Sequence, residues 1–343
     1  TLRGLCFYMK NQILTIRKLA GVDRRGSATL FYFLWLFTIL YPLCFSAAEA
    51  VQPKIWQQNS QATFESGEGQ EVSLTREGTV TLSPGLQVVA DTEAAFVWSL
   101  VEGSQGDLYV GTGNQGQIYQ VKAGTDAKLI FDSPDVAIFS LTVGSDGALY
   151  AGSSPDGVIY RKLLGKDAEV FCQTGDEHVW ALSPRPGGGL YAATGGGAGR
   201  VLSISSKGEV RVVYESKDPN IVSLAVGSDG TIYAGTDENG LIYRIQGKSV
   251  DVLYDAGEKE IHSLAVGPGN MLYAGAMSGR ADNKGGKDQG QNGKKEASVV
   301  YAIRPSGSAL KMWEVEAPTL LGLSVKKEGG LTVLVGNPGR IYR

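Results

Sequence analysis

The chain has 343 residues, 47 of them glycine, and a formal net charge of −3. This composition is neither collagen-like nor that of a disordered chain, and its acidic balance gives no reason to expect a nucleic-acid partner. Two of the three cysteines, Cys6 and Cys44, fall in the first fifty residues. That leaves Cys172 alone, which excludes a disulfide or a Cys/His zinc cluster in the remainder.

The chain opens on a basic head (Lys10, Arg17, Lys18, Arg24, Arg25). An uncharged run, Leu30 to Phe45, follows, and then the small-residue segment Ser46 to Ala50. Basic, apolar, small is the order of a secretory leader. Residues 1–50 are therefore expected to be a signal peptide or N-terminal anchor, and an uncleaved leader is the one route to a membrane. The expected location is secreted or periplasmic. Residues 51–78 read as an N-terminal extension and 79–343 as one folded domain.

That domain is built from repeats. "VWSLVEGSQGDLYVGTGNQGQIYQV" from Val97 aligns with "IFSLTVGSDGALYAGSSPDGVIYRK" from Ile138 and "IVSLAVGSDGTIYAGTDENGLIYRI" from Ile221. The anchor leucines are Leu100, Leu141, Leu182, Leu224, Leu264 and Leu323, mostly about forty residues apart. Each unit reads as four short strands: x-φ-x-S-L, then L-Y-A-G, then G-x-I-Y-R, then an alternating run such as "VDVLYDA". Asp146-Gly147 and Asp229-Gly230 supply hairpin turns between the first two strands. No long stretch of the domain has a helical period. Four strands per repeat of about forty residues is the arithmetic of a β-propeller blade. The fold class expected is all-β, a six-bladed β-propeller of four-stranded antiparallel blades; the alternative is seven or more blades with the C-terminus truncated. The last unit, ending at Arg343, has only three strands. Leu86 to Asp91, "LQVVAD", has the pattern of a fourth strand and is expected to complete it.

"GTGNQG", Gly111 to Gly116, matches the dinucleotide fingerprint G-x-G-x-x-G. That fingerprint works only where the turn opens a helix, whose N-terminus holds the pyrophosphate. Here a strand follows, and other units carry "GSSPDG" and "GTDENG" at the same place. The glycines are read as turn residues. Between the second and third strands of the fifth unit lies an insertion, residues 279–297, rich in Gly, Lys and Asn/Gln; it is expected to be flexible.

At the level of "LYAGTxxxGxIYRI" the chain resembles the NHL and streptogramin-lyase group and the propeller repeats of two-component sensor proteins. The resemblance to secreted bacterial propeller proteins of this layout covers roughly residues 64–343. It implies the fold; one fold hosts many functions. Streptogramin-lyase-like and gluconolactonase-like propellers place metal and catalytic groups at the channel mouth, and the resemblance implies a location for a site there, with no motif to match residue by residue.

Equivalent positions across units show where chemistry departs from the repeat. One column reads Phe96, Ala137, His178, Asn220, Glu260 and Thr319. Two residues on it reads Trp98, Phe139, Trp180, Val222, His262 and Leu321. Both histidines of the chain lie in these columns. His178, Asn220, Glu260 and His262 are the candidate ligand-binding residues. They could converge on a polar ligand or a divalent cation, Ca or Mg, or supply an acid and a base. No catalytic residue is assigned, and a binding role is expected ahead of an enzymatic one. The expected function is a ligand-binding or protein-interaction module, with a protein or carbohydrate as ligand and the chain a monomer. A metal-assisted lyase or lactone hydrolase, and the sensor domain of a longer signalling protein, are the alternatives. Trp98 and Trp180 are expected in the inter-blade core. The acidic residues Asp91, Glu93, Asp132, Asp135, Asp176 and Glu177 are expected to form a solvated rim.

Overall fold

The computed structural model describes residues 72–74, 79–82, 88–278, 297–316, 319–326, 329–336 and 339–343. The expected leader, most of the extension and the insertion at 279–296 lie outside them. The chain divides into two compact units, 1–85 and 86–343. In the first, Val72–Leu74 and Val80–Leu82 form an antiparallel hairpin.

The second unit is the propeller expected from the repeats, with six blades. Five are four-stranded antiparallel sheets and the sixth has three strands among the described residues. The blades span residues 96–132, 137–173, 178–215, 221–255, 260–315 and 319–342. Within each, strands follow in chain order from first to last. From blade 1 to blade 6 the first strand of each blade touches the first strand of the one after it, which places these strands innermost.

Among the described residues, the expected completion of blade 6 by Leu86 to Asp91 is not formed. Val88 to Asp91 carries no strand, and Val88 and Val89 are exposed; Leu86 and Gln87 lie outside the described residues. Alternation of apolar residues is a property shared by strands and by extended connectors, so it could not tell the two apart.

The core consists of seams between blades. Five apolar clusters each join two successive blades, for example Ile118 of blade 1 with Ile138, Leu149 and Tyr160 of blade 2. The motif x-φ-x-S-L carries each seam. The φ residues Ile138, Val179, Ile221, Ile261 and Leu320 are all fully buried. Each of Ile138, Val179, Ile261 and Leu320 sits against a glycine in the second strand of the blade before: Gly111, Gly152, Gly235 and Gly275. A Cβ there would lie 2.4–2.8 Å from the next blade's side chain, so only glycine permits the approach. The motif serine ties the same two blades. The hydroxyls of Ser99, Ser140 and Ser223 donate to the carbonyls of Ile138, Val179 and Ile261 at 3.2, 3.0 and 2.5 Å.

The glycines of "GTGNQG" have structural roles, but only Gly116 is a turn residue as expected; Gly111 and Gly113 lie within the strand Leu108–Gly113. Gly111 receives Ile138. A Cβ at Gly113 would meet the Trp98 indole at 2.1 Å. Gly116 has φ +59° and its Cβ would lie 1.9 Å from the Asp135 carbonyl.

Candidate binding site at the inner strands

Every first strand carries a β-bulge at the same place. The register slips between Val97 and Ser99, and likewise across Phe139, Trp180, Val222, His262 and Leu321. The bulged residue faces no partner on the second strand. A bulge bends its strand and re-aims one side chain, and such features recur beside binding sites. Here it sets one column of side chains, Trp98 to Leu321, free of the ladder.

In blades 1 to 3 that column is aromatic and continuous. Trp98 meets Phe139 edge-on at 5.4 Å, and Phe139 stacks on Trp180 at 4.6 Å with 12° between the planes. Phe96 stacks on Trp98 at 5.8 Å. This corrects the placement expected for the tryptophans. Trp98 is 52% exposed and Trp180 half-buried; they line the inner strands instead of filling the inter-blade core.

The four candidate residues fall into two groups. His178 packs its ring 5.2 Å from Trp180. Its Nδ1 and the Ser154 hydroxyl share a hydrogen bond of 2.8 Å, and its Nε2 lies 3.8 Å from the Glu177 carboxylate. Asn220 Oδ1 accepts from Trp180 Nε1 at 3.2 Å and from the Gly196 amide at 3.0 Å. Its Nδ2 donates to Asp237 at 2.7 Å. Trp180 therefore links His178 and Asn220. The second group is Glu260 and His262, where the imidazole Nδ1 donates to the carboxylate at 2.7 Å. That bond leaves Nε2 of a neutral His262 as an acceptor, the arrangement of a base oriented by a carboxylate. Both members are half-buried.

Among the described residues no group of three or more His, Cys, Asp or Glu side chains could hold a metal ion. The candidate cation, Ca or Mg, thus has no ligand cluster here: Glu260 and His262 supply two groups, and His178 and Asn220 are engaged by Ser154, Trp180 and Asp237.

Asp237 was not singled out from the sequence. Burial holds its carboxyl above the usual range, despite the Asn220 hydrogen bond that favours the ionised form. Its Oδ1 is buried and has no hydrogen-bond partner. No residue pattern marked it; the structure places it beside Glu238, which adopts φ +66° in the turn "TDENG".

The acidic rim is also partly corrected. Asp135 and Asp218 are 5% and 3% exposed. Asp135 accepts from Ser153 and from the Tyr160 hydroxyl at 3.1 Å. Asp176 accepts from Thr194 Oγ1 and Arg200 at 2.6 Å each. Glu258 accepts from Tyr301 at 2.9 Å. One acid in each of these connections binds the sheet of the blade that follows. Their recurrence at the blade spacing was the missed signal. Glu177, by contrast, is solvated as expected.

The chain is similar in fold to virginiamycin B lyase from Staphylococcus aureus, with 15% identity and a TM-score of 0.57 over 72% of this chain and 83% of that one. It is likewise similar to Kuenenia stuttgartiensis hydrazine synthase, with 18% identity and a TM-score of 0.57 over 73% of this chain and 76% of that one. The extracellular domain of BT4673 from B. thetaiotaomicron gives 14% identity and a TM-score of 0.50 over 72% of this chain and 33% of that one. No protein-family model and no curated protein matches the chain. The chain is a β-propeller. At these identities the likeness shows the fold alone.

Proposed function

We propose that this propeller is an extracellular or periplasmic ligand-binding module whose site is the bulged column of the inner strands in blades 1 to 4. The observation that carries the reading is the continuous row Trp98–Phe139–Trp180–His178, ending on Asn220. Large aromatic surface left in partial contact with water, next to a few fixed polar groups, is the composition of a binding site. The fold does not require it, because the equivalent positions in blades 4 to 6 hold Val222, His262 and Leu321. The extracellular placement rests on the basic, apolar and small order of residues 10–50 and is supported by the extracellular domain among its structural neighbours. Among the described residues no helix is long and apolar enough to cross a membrane.

The test is a thermal-shift screen of the exported protein against neutral oligosaccharides, amino acids and amines, with and without Ca²⁺ and Mg²⁺. A stabilising compound whose effect is lost in His178→Ala and in Asn220→Ala supports the reading. A screen in which every shift survives both substitutions overturns it.

The lyase reading keeps one specific observation, the Glu260–His262 pair. Its test is elimination or hydrolysis of a cyclic depsipeptide followed by mass spectrometry. Turnover lost in Glu260→Gln would establish it.

A further inference from the structure

The chemistry of the inner column narrows the ligand class. We propose that the Trp98–Phe139–Trp180 row, with His178 and Asn220, is a surface for a neutral oligosaccharide, the sugar rings lying against the aromatic side chains and their hydroxyls meeting the polar groups. This rests on the ligand-binding reading above and goes one step beyond it.

A pyranose has two kinds of surface. Its C–H face is apolar and matches an aromatic side chain in area. Its rim of hydroxyls both donates and accepts. The row meets the first requirement chiefly at Trp98. Phe139 and Trp180 cover one face of each other and Phe96 covers one face of Trp98, so the half-exposed Trp98 is the ring that offers most of this surface. The indole of Trp98 rests on the backbone at Gly113, where any side chain would displace it, and Trp180 is fixed through Nε1 by Asn220. Rings held in this way lose little rotational freedom on binding. The second requirement is met by a mixed set. Asn220 Nδ2 has two hydrogens and gives one to Asp237. The His178 Nε2 and the exposed Glu177 carboxylate lie 3.8 Å apart at the end of the row. Donors and acceptors therefore both lie at the Trp180 end of the row.

That mixture favours a hydroxylated ligand over the other occupant an aromatic row could take. An organic cation needs aromatic faces and acceptors, and it gains nothing from donors. Here a carboxamide and an imidazole occupy the places nearest Trp180, while Glu260 is engaged by His262. A hydroxylated ligand uses all of these groups.

The experiment is an array of neutral oligosaccharides (glucose, xylose, galactose and N-acetylglucosamine chains of two to six units) probed with the intact propeller, followed by calorimetric titration of the best binder. Trp98→Ala and Asn220→Ala should each weaken that binder by about tenfold or more, the size of a lost stacking or hydrogen-bonding anchor. Trp313→Ala, on the outer strand of blade 5, should leave affinity unchanged. Far-UV circular dichroism and melting temperature establish that each variant is folded. Trp98 is the informative position, because its exposure makes it the ring least needed for packing. Failure of every oligosaccharide to bind, or full affinity in Trp98→Ala, overturns the proposal. Binding of choline or tetramethylammonium alone, lost in Trp180→Ala, also overturns it while leaving the ligand-binding reading in place. Loss of that wider reading would show separately, as a thermal-shift screen with no effect dependent on His178 or Asn220.

Discussion

Substituting Gly235 by alanine tests the seam that repeats around the propeller. The added Cβ would lie 2.4 Å from Ser223 Oγ and 2.6 Å from Ile261 Cγ2. Neither neighbour can yield cheaply. Ser223 Oγ is bonded to the Ile261 carbonyl at 2.5 Å, and Ile261 is fully buried. Overpacking of this kind costs about 1–3 kcal/mol, and losing the serine bond adds about 1 kcal/mol. The sum, about 2–4 kcal/mol, corresponds to a fall of roughly 4–16 °C in melting temperature for a domain of this size. The chain already contains the remedy. At the seam between blades 3 and 4 the pair is Ala181 opposite Ala193, so the second-strand alanine occurs where the serine is also alanine. The double variant Ser223→Ala/Gly235→Ala should therefore recover part of the loss, since it relieves the Ser223 overlap and leaves that with Ile261. Differential scanning calorimetry of wild type, both single variants and the double variant closes the cycle. A single Gly235→Ala variant that melts within 1 °C of wild type, or a double variant that shows simple additivity, would refute the reasoning.

Three further expectations follow from buried groups. The carboxyl of Asp237 is held above its unfolded value, so its contribution to stability is complete below about pH 3.8 and falls as pH rises through the folded value. Asp237→Asn should thus be more stable than wild type at pH 7, with the gap closing in melts at pH 3.5; a variant less stable at pH 7 refutes this. Asp176→Ala removes the acceptor shared by Thr194 and Arg200 and should cost about 1–3 kcal/mol by urea titration. An unchanged midpoint and slope would contradict the role given to these acids. Burial pushes the Cys172 thiol up to about 11, so its reaction with a disulfide reagent at pH 8 should be slow in the folded chain and fast in urea. Equal rates in the two states would show that the thiol is not protected.

The blade architecture was legible because each blade must meet the next in the same way. Recurrence of φ at Ile138, Ile221 and Ile261, with Ser two residues later, reports a contact that every seam repeats. The two columns containing His178, Asn220 and Glu260 and, two residues on, His262 stood out for the complementary reason: they are where the repeat is not kept. The bulge at Trp98, Trp180 and His262 was not legible, because a slip of one residue leaves no mark on the apolar pattern. Without the bulge, the strand register puts the tryptophans in the core. The buried acids Asp135, Asp176 and Asp218 were hidden by their residue type, since a carboxylate in a loop is solvated unless a later strand supplies its donors. Those donors, Tyr160 and Arg200, lie some 25 residues further along the chain.

The last and first blades depart furthest from the seam rule. Blade 1 presents Val97 in the φ position, yet Val97 is 55% exposed where its equivalents in blades 2 to 6 are fully buried. The facing surface of blade 6 departs from the rule at both of its positions. Leu334 replaces the glycine and Gly322 replaces the serine, and the two are cross-strand partners. The bulky residue now occupies the hollow into which a neighbouring φ side chain would fit, and no hydroxyl is left to reach a carbonyl across the seam. An exposed Leu334 accords with this surface receiving no φ side chain. Restoring the rule by Gly322→Ser/Leu334→Gly removes an exposed side chain and reopens the hollow. If blades 6 and 1 can then meet as the others do, burial of Val97 alone offers about 1.5–3 kcal/mol, to be read as a higher melting temperature with a larger urea slope. A lower melting temperature with an unchanged slope would mean that Leu334 already contributes to stability where it stands, and that the last seam follows a packing of its own.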